Sequence, residues 1–356
     1  MQSPYQYIYP GALHLHSLHS DGTGTIPEIA HAAQQAGLRW IIITDHNTLA
    51  GRPEQGWYGD LLVLVECEVT PPRNHFLALD LAELVDHNLP PQQFIDEIYA
   101  AGGWGVIAHP DERTDNELKQ PYNWTDWNVD GPTEREGKRV GIELWNWMSD
   151  WAEQLTPRTK YLKFFTPRLW VRGPTAAALD WWDRLNIAGK RTFGTGNLDS
   201  HATHVRGLGR VWEMFPYLYL FRTITNYVWL PEPLSRDFET ARRQVLDALG
   251  AGHLWFANRH YGSAQNAMFY GEVAGRSVRM GETATIQADH PEDAAPIILH
   301  ARGPRADMRL ICNGQIVARG RGSITFATNH PGVYRLEARR WRQPWLYSNP
   351  IFVEAE

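Results

Sequence analysis

Histidines and carboxylates recur together in this 356-residue sequence at the ends of short apolar runs. His14 and His16 are separated by one residue after the first run, so both imidazoles project from one face of a strand and can reach one ion. Similar groups follow four later runs: Asp45 with His46, Glu66 with Glu68, His109 with Pro110, and Asp199 with His201. Imidazole and carboxylate without thiolate suit Zn, Mn, Fe or Co, so the pattern indicates a metal centre.

Each group alone is weak evidence, because two histidines in one strand are more often structural than metal-binding. An isolated histidine beside an acid also fits an exposed loop. Asp21 adds a carboxylate in a glycine-containing turn just beyond the first pair. Five such groups, each at a junction between strand and loop, favour the metal interpretation.

The first two-thirds of the chain alternates strand-like and helical patterns. Trp40 to Thr44 predicts a buried strand, and Ile26 to Ala36 predicts an amphipathic helix capped by Thr25. This rhythm predicts parallel β/α units, in which ligands gather at the carboxyl ends of the strands. Because at least five strands deliver polar groups, a barrel with its site at one mouth fits better than an open sheet.

The sequence pattern changes after about residue 270, where short segments of alternating apolar and polar residues are separated by Gly, Pro and Asn. Such segments predict a small antiparallel β-sandwich. We therefore predict a catalytic domain over residues 1–270 and an all-β domain over residues 271–356.

Composition and charge exclude several classes of partner and location. The net charge of −6 is scattered over both signs without a basic stripe, so no nucleic-acid partner is expected. The longest apolar runs are too short to span a bilayer, and no signal-peptide pattern is evident. Cys67 and Cys312 are too few for a disulfide framework and are expected to be buried thiols. These features predict a cytoplasmic protein, and they identify neither its substrate nor its oligomeric state.

The sequence resembles the PHP (polymerase and histidinol phosphatase) superfamily of metal-dependent phosphoesterases over about residues 11 to 270. The resemblance rests on four motifs in order and on Glu68 in the segment CEVT: HLHSLHSDG (14–22), TDHNT (44–48), IAHP (107–110) and LDSH (198–201). It implies a distorted (β/α)7 barrel, and the C-terminal segments are similar to a branch that carries a β-sandwich after the barrel.

The resemblance also implies two or three divalent ions of Zn, Mn or Fe. The ligands it implies for a first ion are His14, His16, Glu68 and Asp199. Glu68 would bridge to a second ion with His109, and the ligands implied for a further ion are Asp21, His46 and His201. The family's fullest sites have one more histidine or cysteine, whereas this chain has Glu143 there, and His75 ranks below the other candidates.

The implied activity is hydrolysis of a small phosphate mono- or diester through a metal-bridged hydroxide. Asp199 would bind metal and orient the nucleophile, and His201 or a neighbouring histidine would protonate the leaving oxygen. Arg206 would bind the phosphate, or it would form a surface salt bridge. A carboxylic or carbamate ester hydrolase with the same metal centre is an alternative, because only one cation stands out. A non-catalytic metal-binding or interaction protein is the third interpretation.

Overall fold

The computed structural model describes residues 4–127, 139–153, 155–207, 209–286 and 296–355. The helices are α1 (Ile26–Gln35), α2 (Pro91–Ala100), α3 (Trp147–Ala152), α4 (Lys160–Phe165), α5 (Ala176–Ile187), α6 (Tyr217–Leu220) and α7 (Phe238–Gly250). The strands up to residue 258 are β1 (Tyr7–Leu13), β2 (Trp40–His46), β3 (Gly56–Tyr58), β4 (Leu61–Val69), β5 (Phe76–Leu79), β6 (Trp104–Ile107), β7 (Gly141–Asn146), β8 (Phe193–Asn197), β9 (His204–Gly207), β10 (Arg210–Glu213), β11 (Ile224–Leu230) and β12 (Leu254–Asn258). The later strands are β13 (Met268–Val273), β14 (Arg276–Arg279), β15 (Thr283–Ile286), β16 (Ile297–Cys312), β17 (Gln315–Thr328), β18 (Gly332–Arg340), β19 (Gln343–Ser348) and β20 (Ile351–Ala355).

Helix α1 begins where the sequence predicts. The Thr25 side chain accepts a hydrogen bond from the Glu28 backbone N–H, and the Glu28 carboxylate accepts one from the Thr25 backbone N–H at 2.8 Å. This capping box satisfies two amides that have no partner within the helix. The predicted cap is therefore confirmed, and it sets the point where the chain turns back toward β2.

A curled sheet brings the polar strand ends to one rim. Strands β1, β2 and β4 are parallel neighbours, as are β6, β7 and β8. Strand β5 lies between β4 and β6 and is antiparallel to both. The expectation of parallel units alone is therefore wrong at β5. Because β5 is reversed, the carboxyl ends of the six other strands and the start of β5 share the same rim.

The two sides of this sheet meet beyond β1 and β8. A parallel bridge pairs Leu15 with Ser200, and the His16 amide donates to the Ser200 carbonyl at 2.9 Å. Further along, β11 pairs antiparallel with β1, and the Asn226 side chain hydrogen-bonds both the N–H and the carbonyl of Gly196. These contacts show a mixed α/β sheet that curls on itself, while the distorted (β/α)7 barrel stays a prediction.

The C-terminal part is rich in strands, as the sequence predicts. Strand β16 pairs with β13 in its first half and with β18 in its second, and β17 runs along both halves. Strand β19 pairs with β18 and also with β12, where Trp255 lies opposite Ser348. Hydrogen bonds therefore run from the N-terminal sheet into the C-terminal strands. A separate sandwich and a domain boundary at 270/271 stay predictions.

Two further expectations from composition can be compared with the structure. Cys67 and Cys312 are both free, but Cys67 is buried and Cys312 is only half-buried. Within the described ranges, no helix has the length and apolar character needed to cross a bilayer.

A buried ion pair joins α5 to β18. The Arg335 guanidinium donates two hydrogen bonds of 2.7 Å to the two oxygens of Asp183, and a third of 2.7 Å to Glu337. The side chains of Arg335 and Asp183 are only 4% and 9% exposed. Because a buried guanidinium is costly without its partners, this pair holds the C-terminal strands against the α/β part.

We expect Asp183→Ala to lower the free energy of unfolding by about 3 kcal/mol, because Arg335 would keep only Glu337 as a buried partner. Urea unfolding followed by circular dichroism measures this change. The control is Asp60→Ala, which removes an exposed ion pair with Arg236 and should leave the midpoint almost unchanged. Equal midpoint shifts in the two variants would contradict a stabilising role for the buried pair.

Candidate metal centre

The predicted ligands lie at the common rim of the sheet. His14 directly follows β1, His46 is the last residue of β2, and Glu68 lies near the end of β4. His109 follows β6 by two residues, and Asp199 follows β8 by two residues. These positions follow from the fold, since parallel strands place their carboxyl ends at the same edge.

The backbone at this rim is held in an uncommon conformation. His14, His109 and Asp199 have positive φ angles of 70°, 26° and 54°. Non-glycine residues adopt this region at an energetic cost, and such residues cluster at functional sites. The three turns aim their side chains toward one another rather than along the strands.

A buried aspartate fixes the loop that carries Asp21. Asp45 accepts hydrogen bonds from the Ser17 N–H at 2.7 Å, the Ser17 hydroxyl at 2.6 Å and the Ser20 hydroxyl at 2.6 Å. Gly22 closes this loop against the His16 carbonyl, where an added Cβ would lie 2.1 Å from the oxygen. Any larger residue at position 22 would therefore displace the backbone of His16.

Glu68 lies at the centre of the cluster that the predicted ligands form. It is fully buried, and its Oε2 lies 3.3 Å from His14 Nε2, 3.3 Å from His16 Nε2 and 3.1 Å from His46 Nδ1. Its Oε1 lies 3.1 Å from His75 Nδ1 and 3.4 Å from His109 Nε2. One carboxylate thus faces five imidazoles, an arrangement that suits a ligand shared between ions.

A first group consists of His14, His16, Glu68 and Asp199, and the spacing of its ligand atoms matches a coordination shell. Asp199 Oδ1 lies 3.4 Å from His14 Nε2 and 3.3 Å from His16 Nε2, so it repeats the spacing of Glu68 Oε2 to the same two atoms. Ligand atoms held at about 2.0–2.1 Å in a tetrahedron lie about 3.3 Å apart. Four nitrogen–oxygen separations in this group therefore have the length that a shared ion requires.

A second group surrounds Asp21 near the surface. Asp21 Oδ1 lies 3.2 Å from His201 Nε2, 3.4 Å from His46 Nε2 and 3.9 Å from His16 Nδ1. The Asp21 side chain is 59% exposed, whereas those of His46 and His201 are 27% and 18% exposed. This end of the cluster is therefore the side that solvent reaches.

A third group consists of Glu68, His75 and His109, whose ligand atoms lie within 4.8 Å of one another. His75 stands at the start of β5, so the reversed direction of that strand brings it to the rim. Glu143 instead accepts a hydrogen bond from His14 Nδ1–H at 2.8 Å and another from the His109 backbone N–H at 2.5 Å. Because Nδ1 of His14 is bonded to Glu143, Nε2 faces the cluster and can bind an ion once it has lost its proton.

Several buried atoms of the cluster have no hydrogen-bond partner in the described part of the chain. These are His14 Nε2, both ring nitrogens of His16, His46 Nδ1, His109 Nδ1 and Glu68 Oε2. Buried polar groups are almost always satisfied, so such a concentration calls for an ion or water. The donor set, the spacing and these unpaired atoms all fit divalent metal ions.

Burial and neighbouring charges shift the pKa values of the histidines in the cluster. Burial alone would lower the pKa of His14, but the carboxylates of Asp199, Glu143 and Glu68 outweigh it and raise that pKa well above its ordinary value. His46 behaves likewise, with its pKa raised to about 10 by hydrogen bonds to Asp21 and Glu68 despite burial. Burial and the neighbouring His201 lower the pKa of His16 to about 4. Without an ion, protons on some imidazoles balance the carboxylates, and an ion must displace them.

A cation that the sequence does not predict lies beside the cluster. Lys119 forms an ion pair with Glu112, whose Oε2 lies 3.3 Å from His109 Nδ1 and accepts a 2.5 Å hydrogen bond from the Ser149 hydroxyl. Burial lowers the pKa of Lys119 to about 8, although the charge of Asp199 opposes this shift. The signal was weak, because Lys119 lies in a loop without a recognisable motif.

Arg206 is not brought to the cluster. It is an exposed residue of β9 and lines an apolar groove with Tyr161, Phe165 and Trp212. This groove shares no lining residue with the groups of candidate metal ligands. A cavity of about 270 Å³ instead adjoins the cluster at His109 and Glu143. Its lining includes the buried residue Trp145.

All eight predicted ligands therefore lie in the groups just described, together with His75, and their binding of metal stays a prediction. Residues 12–87 match the family model described as the PHP domain. An uncharacterised protein of Methanocaldococcus jannaschii is 29% identical over 86 residues, which are 23% of this chain and 50% of that protein. The match thus spans about half the length of that curated relative.

Two solved structures are similar at low sequence identity. A two-domain protein from Bacteroides vulgatus containing a predicted PHP-like metal-dependent phosphoesterase is 13% identical, with 98% of each chain covered and a TM-score of 0.41. An amidohydrolase from Chromobacterium violaceum with bound sulfate and no metal is 14% identical, with 58% of this chain and 92% of that chain covered and a TM-score of 0.31.

We expect His75→Ala to lower the metal content by about one equivalent per chain, because it leaves the third group with only Glu68 and His109. Inductively coupled plasma mass spectrometry after dialysis measures the change. His31→Ala, at an exposed position on α1, is the matched control and should retain the wild-type content. Unchanged content in His75→Ala would remove His75 from the ligand set.

Proposed function

The chain carries a PHP domain, and we propose that it is a metal-dependent hydrolase that cleaves small phosphate mono- or diesters. The proposal rests first on the four separations of 3.3–3.4 Å that join the imidazoles of His14 and His16 to the carboxylates of Glu68 and Asp199. A structural metal site needs about four ligands in a closed shell. This chain has nine candidate ligands in linked groups, which is more than a structural site needs, and the Asp21 side chain among them is largely exposed. Both features favour a centre that works on a substrate.

The residues present fit two or three divalent ions of Zn, Mn or Fe. His14, His16, Glu68 and Asp199 would hold the first, and Glu68 would be shared with a second held by His75 and His109. Asp21, His46 and His201 would hold a further ion near solvent. Bound there, such ions would acidify water and neutralise charge that develops on a phosphoryl oxygen.

The protein's own groups orient this chemistry. His14 is held by its hydrogen bond to Glu143, and Glu112 Oε2 lies 3.3 Å from His109 Nδ1. The Nε2 atoms of both imidazoles face the interior of the cluster. Asp199 has one oxygen directed at His14 and His16, and this position supports its proposed role in orienting the nucleophile. These partners remove the freedom to rotate that would otherwise misplace the ligands.

The position of His201 supports its proposed role in protonating the leaving group. Its Nδ1–H donates to the Asp199 carbonyl at 3.0 Å, and its Nε2 faces Asp21 at the solvent side of the cluster. Burial would lower the pKa of His201, but the carboxylates of Asp21 and Asp199 raise it. When only the first two positions hold ions, the raised pKa of His201 at the solvent side suits general acid catalysis.

The position of Arg206 favours keeping a second candidate, the hydrolysis of a carboxylic or carbamate ester. A phosphate site usually presents cations, yet Arg206 lies in a separate groove and Lys119 is already paired with Glu112. The cavity beside His109 and Glu143 accepts a small substrate of either class. We also propose that the curled sheet is a distorted (β/α)7 barrel over residues 1–270, followed by a β-sandwich over residues 271–356.

We expect the double variant His14→Ala/Asp199→Ala to lose bound metal and to lose about a thousandfold in phosphoesterase rate, because ions contribute several kcal/mol to such transition states. Metal content and hydrolysis of p-nitrophenyl phosphate, bis-p-nitrophenyl phosphate and p-nitrophenyl acetate are measured on the same samples. The control His31→Ala/Asp96→Ala removes an exposed histidine and aspartate and should match wild type.

The three substrates separate the candidates. Activity on either phosphate ester that disappears with the metal supports the proposal. Metal-dependent activity on the acetate alone assigns the ester hydrolase instead. Absence of bound metal after growth with added Mn and Zn would refute both.

A further inference from the structure

A groove rich in arginine lies on the C-terminal strands, away from the metal centre. The arginine groove, as we call it, has a volume of about 570 Å³ and is lined by Arg309, Arg319, Arg321, Arg339 and Arg342, with Asp307, Met308 and Gly320. It shares no residue with the groups of candidate metal ligands. Whatever it binds is therefore independent of the hydrolytic proposal.

Strand pairing creates this groove. Strand β16 lies between β17 and β18, and its Arg309 is directly opposite Arg319 of β17. Two residues away, Asp307 is opposite Arg321 on one side and Arg339 on the other. Like charges directly opposite in a sheet are destabilising, so the pair Arg309–Arg319 lowers stability unless an anion compensates it.

The positive charge of the groove is poorly neutralised by the chain itself. Asp307 is reached by Arg321 Nε only at 3.9 Å, and both side chains are more than half exposed. Glu337, opposite Arg309 on β18, is already held by the buried Arg335. Within the described ranges, neither Arg309 nor Arg319 forms an ion pair. A polyanion would supply the missing charge.

Charge is also segregated along the sequence. Residues 296–356 contain nine arginines, no lysine and four carboxylates, which gives +5, whereas the other 25 basic and 36 acidic residues give −11. The planar guanidinium binds phosphate oxygens in pairs and stacks on flat rings, which an ammonium does not. An excess of arginine without lysine therefore favours a ligand that carries both phosphates and rings.

The turn next to the groove offers an aromatic surface. Trp341 lies between β18 and β19, is 73% exposed and directly precedes Arg342 of the groove lining. Stacking on an exposed ring is how single-stranded nucleic acids bind without sequence preference. A bilayer is flat and does not enter a concave groove, and an acidic peptide gains nothing specific from an exposed indole.

We propose that the arginine groove binds a single-stranded nucleic acid, with phosphates between Arg309 and Arg319 and a base near Trp341. The sequence predicts no such partner, because the five arginines are spread over 34 positions and form no run. They meet only when three strands pair. A sequence-based search for a basic stripe therefore misses the groove.

The test is fluorescence anisotropy of a labelled 12-nucleotide deoxythymidylate, titrated with the full chain at several salt concentrations. Arg309→Gln/Arg319→Gln should bind about tenfold more weakly, and the slope of log K against log salt should shrink by about 1.4, since each lost phosphate contact on a single strand contributes about 0.7. Trp341→Ala should weaken binding by about fivefold or more. Arg222→Gln/Arg276→Gln removes two exposed arginines elsewhere and should bind like wild type.

Two further measurements separate this proposal from its alternatives. Binding should persist in His14→Ala/Asp199→Ala, with the oligonucleotide shown intact on a gel, because the groove does not depend on the metal centre. Circular dichroism should show that Arg309→Gln/Arg319→Gln is folded, since it removes a repulsive pair. No binding by wild type at 50 mM salt, or equal affinity and salt slope for the two double variants, would overturn the proposal. Groove-dependent binding to phosphatidylserine vesicles without oligonucleotide binding would overturn it in favour of a membrane surface.

Discussion

The carboxylate of Glu68 is the constraint on which the site depends. It is fully buried in β4, and a buried charge is strongly unfavourable unless other charges or hydrogen bonds compensate it. Five imidazoles surround it, and they come from the ends of β1, β2 and β6 and from the start of β5. The directions of β1, β2, β4, β5 and β6 bring these groups to one point. The geometry of the cluster therefore depends on the strand order and direction of the sheet.

A second layer of carboxylates controls the orientation of the imidazoles. Glu143 fixes His14, and Glu112 faces His109 while Lys119 and Ser149 hold Glu112 in turn. Such partners set which nitrogen carries the proton and raise the basicity of the other. They also explain why acid should compete with metal, since the same carboxylates that stabilise an ion stabilise protonated histidine. The positive φ angles of His14, His109 and Asp199 fit a rim whose geometry is fixed by these contacts.

Much of this arrangement could be predicted from the sequence because parallel strands obey a simple rule. Polar residues that follow apolar runs meet at one edge, and the eight predicted ligands indeed lie at the rim. The role of His75 could not be predicted in this way, because it precedes its strand and reaches the rim only when β5 runs antiparallel. Arg206 followed a motif closely in sequence, but the hairpin of β9 and β10 carries it into a separate groove. Lys119 and the arginine groove depend on loop folding and strand register, which local patterns do not encode.

The most direct test of a shared carboxylate at the centre is anomalous X-ray diffraction from crystals soaked with Zn²⁺ or Mn²⁺. Two peaks on either side of the Glu68 carboxylate are expected, one within bonding distance of His14, His16 and Asp199 and the other within bonding distance of His75 and His109. A further peak near Asp21 would complete the set of three ions. No peak within bonding distance of Glu68, with ions bound only elsewhere on the protein, would contradict the assignment of this cluster as a metal centre.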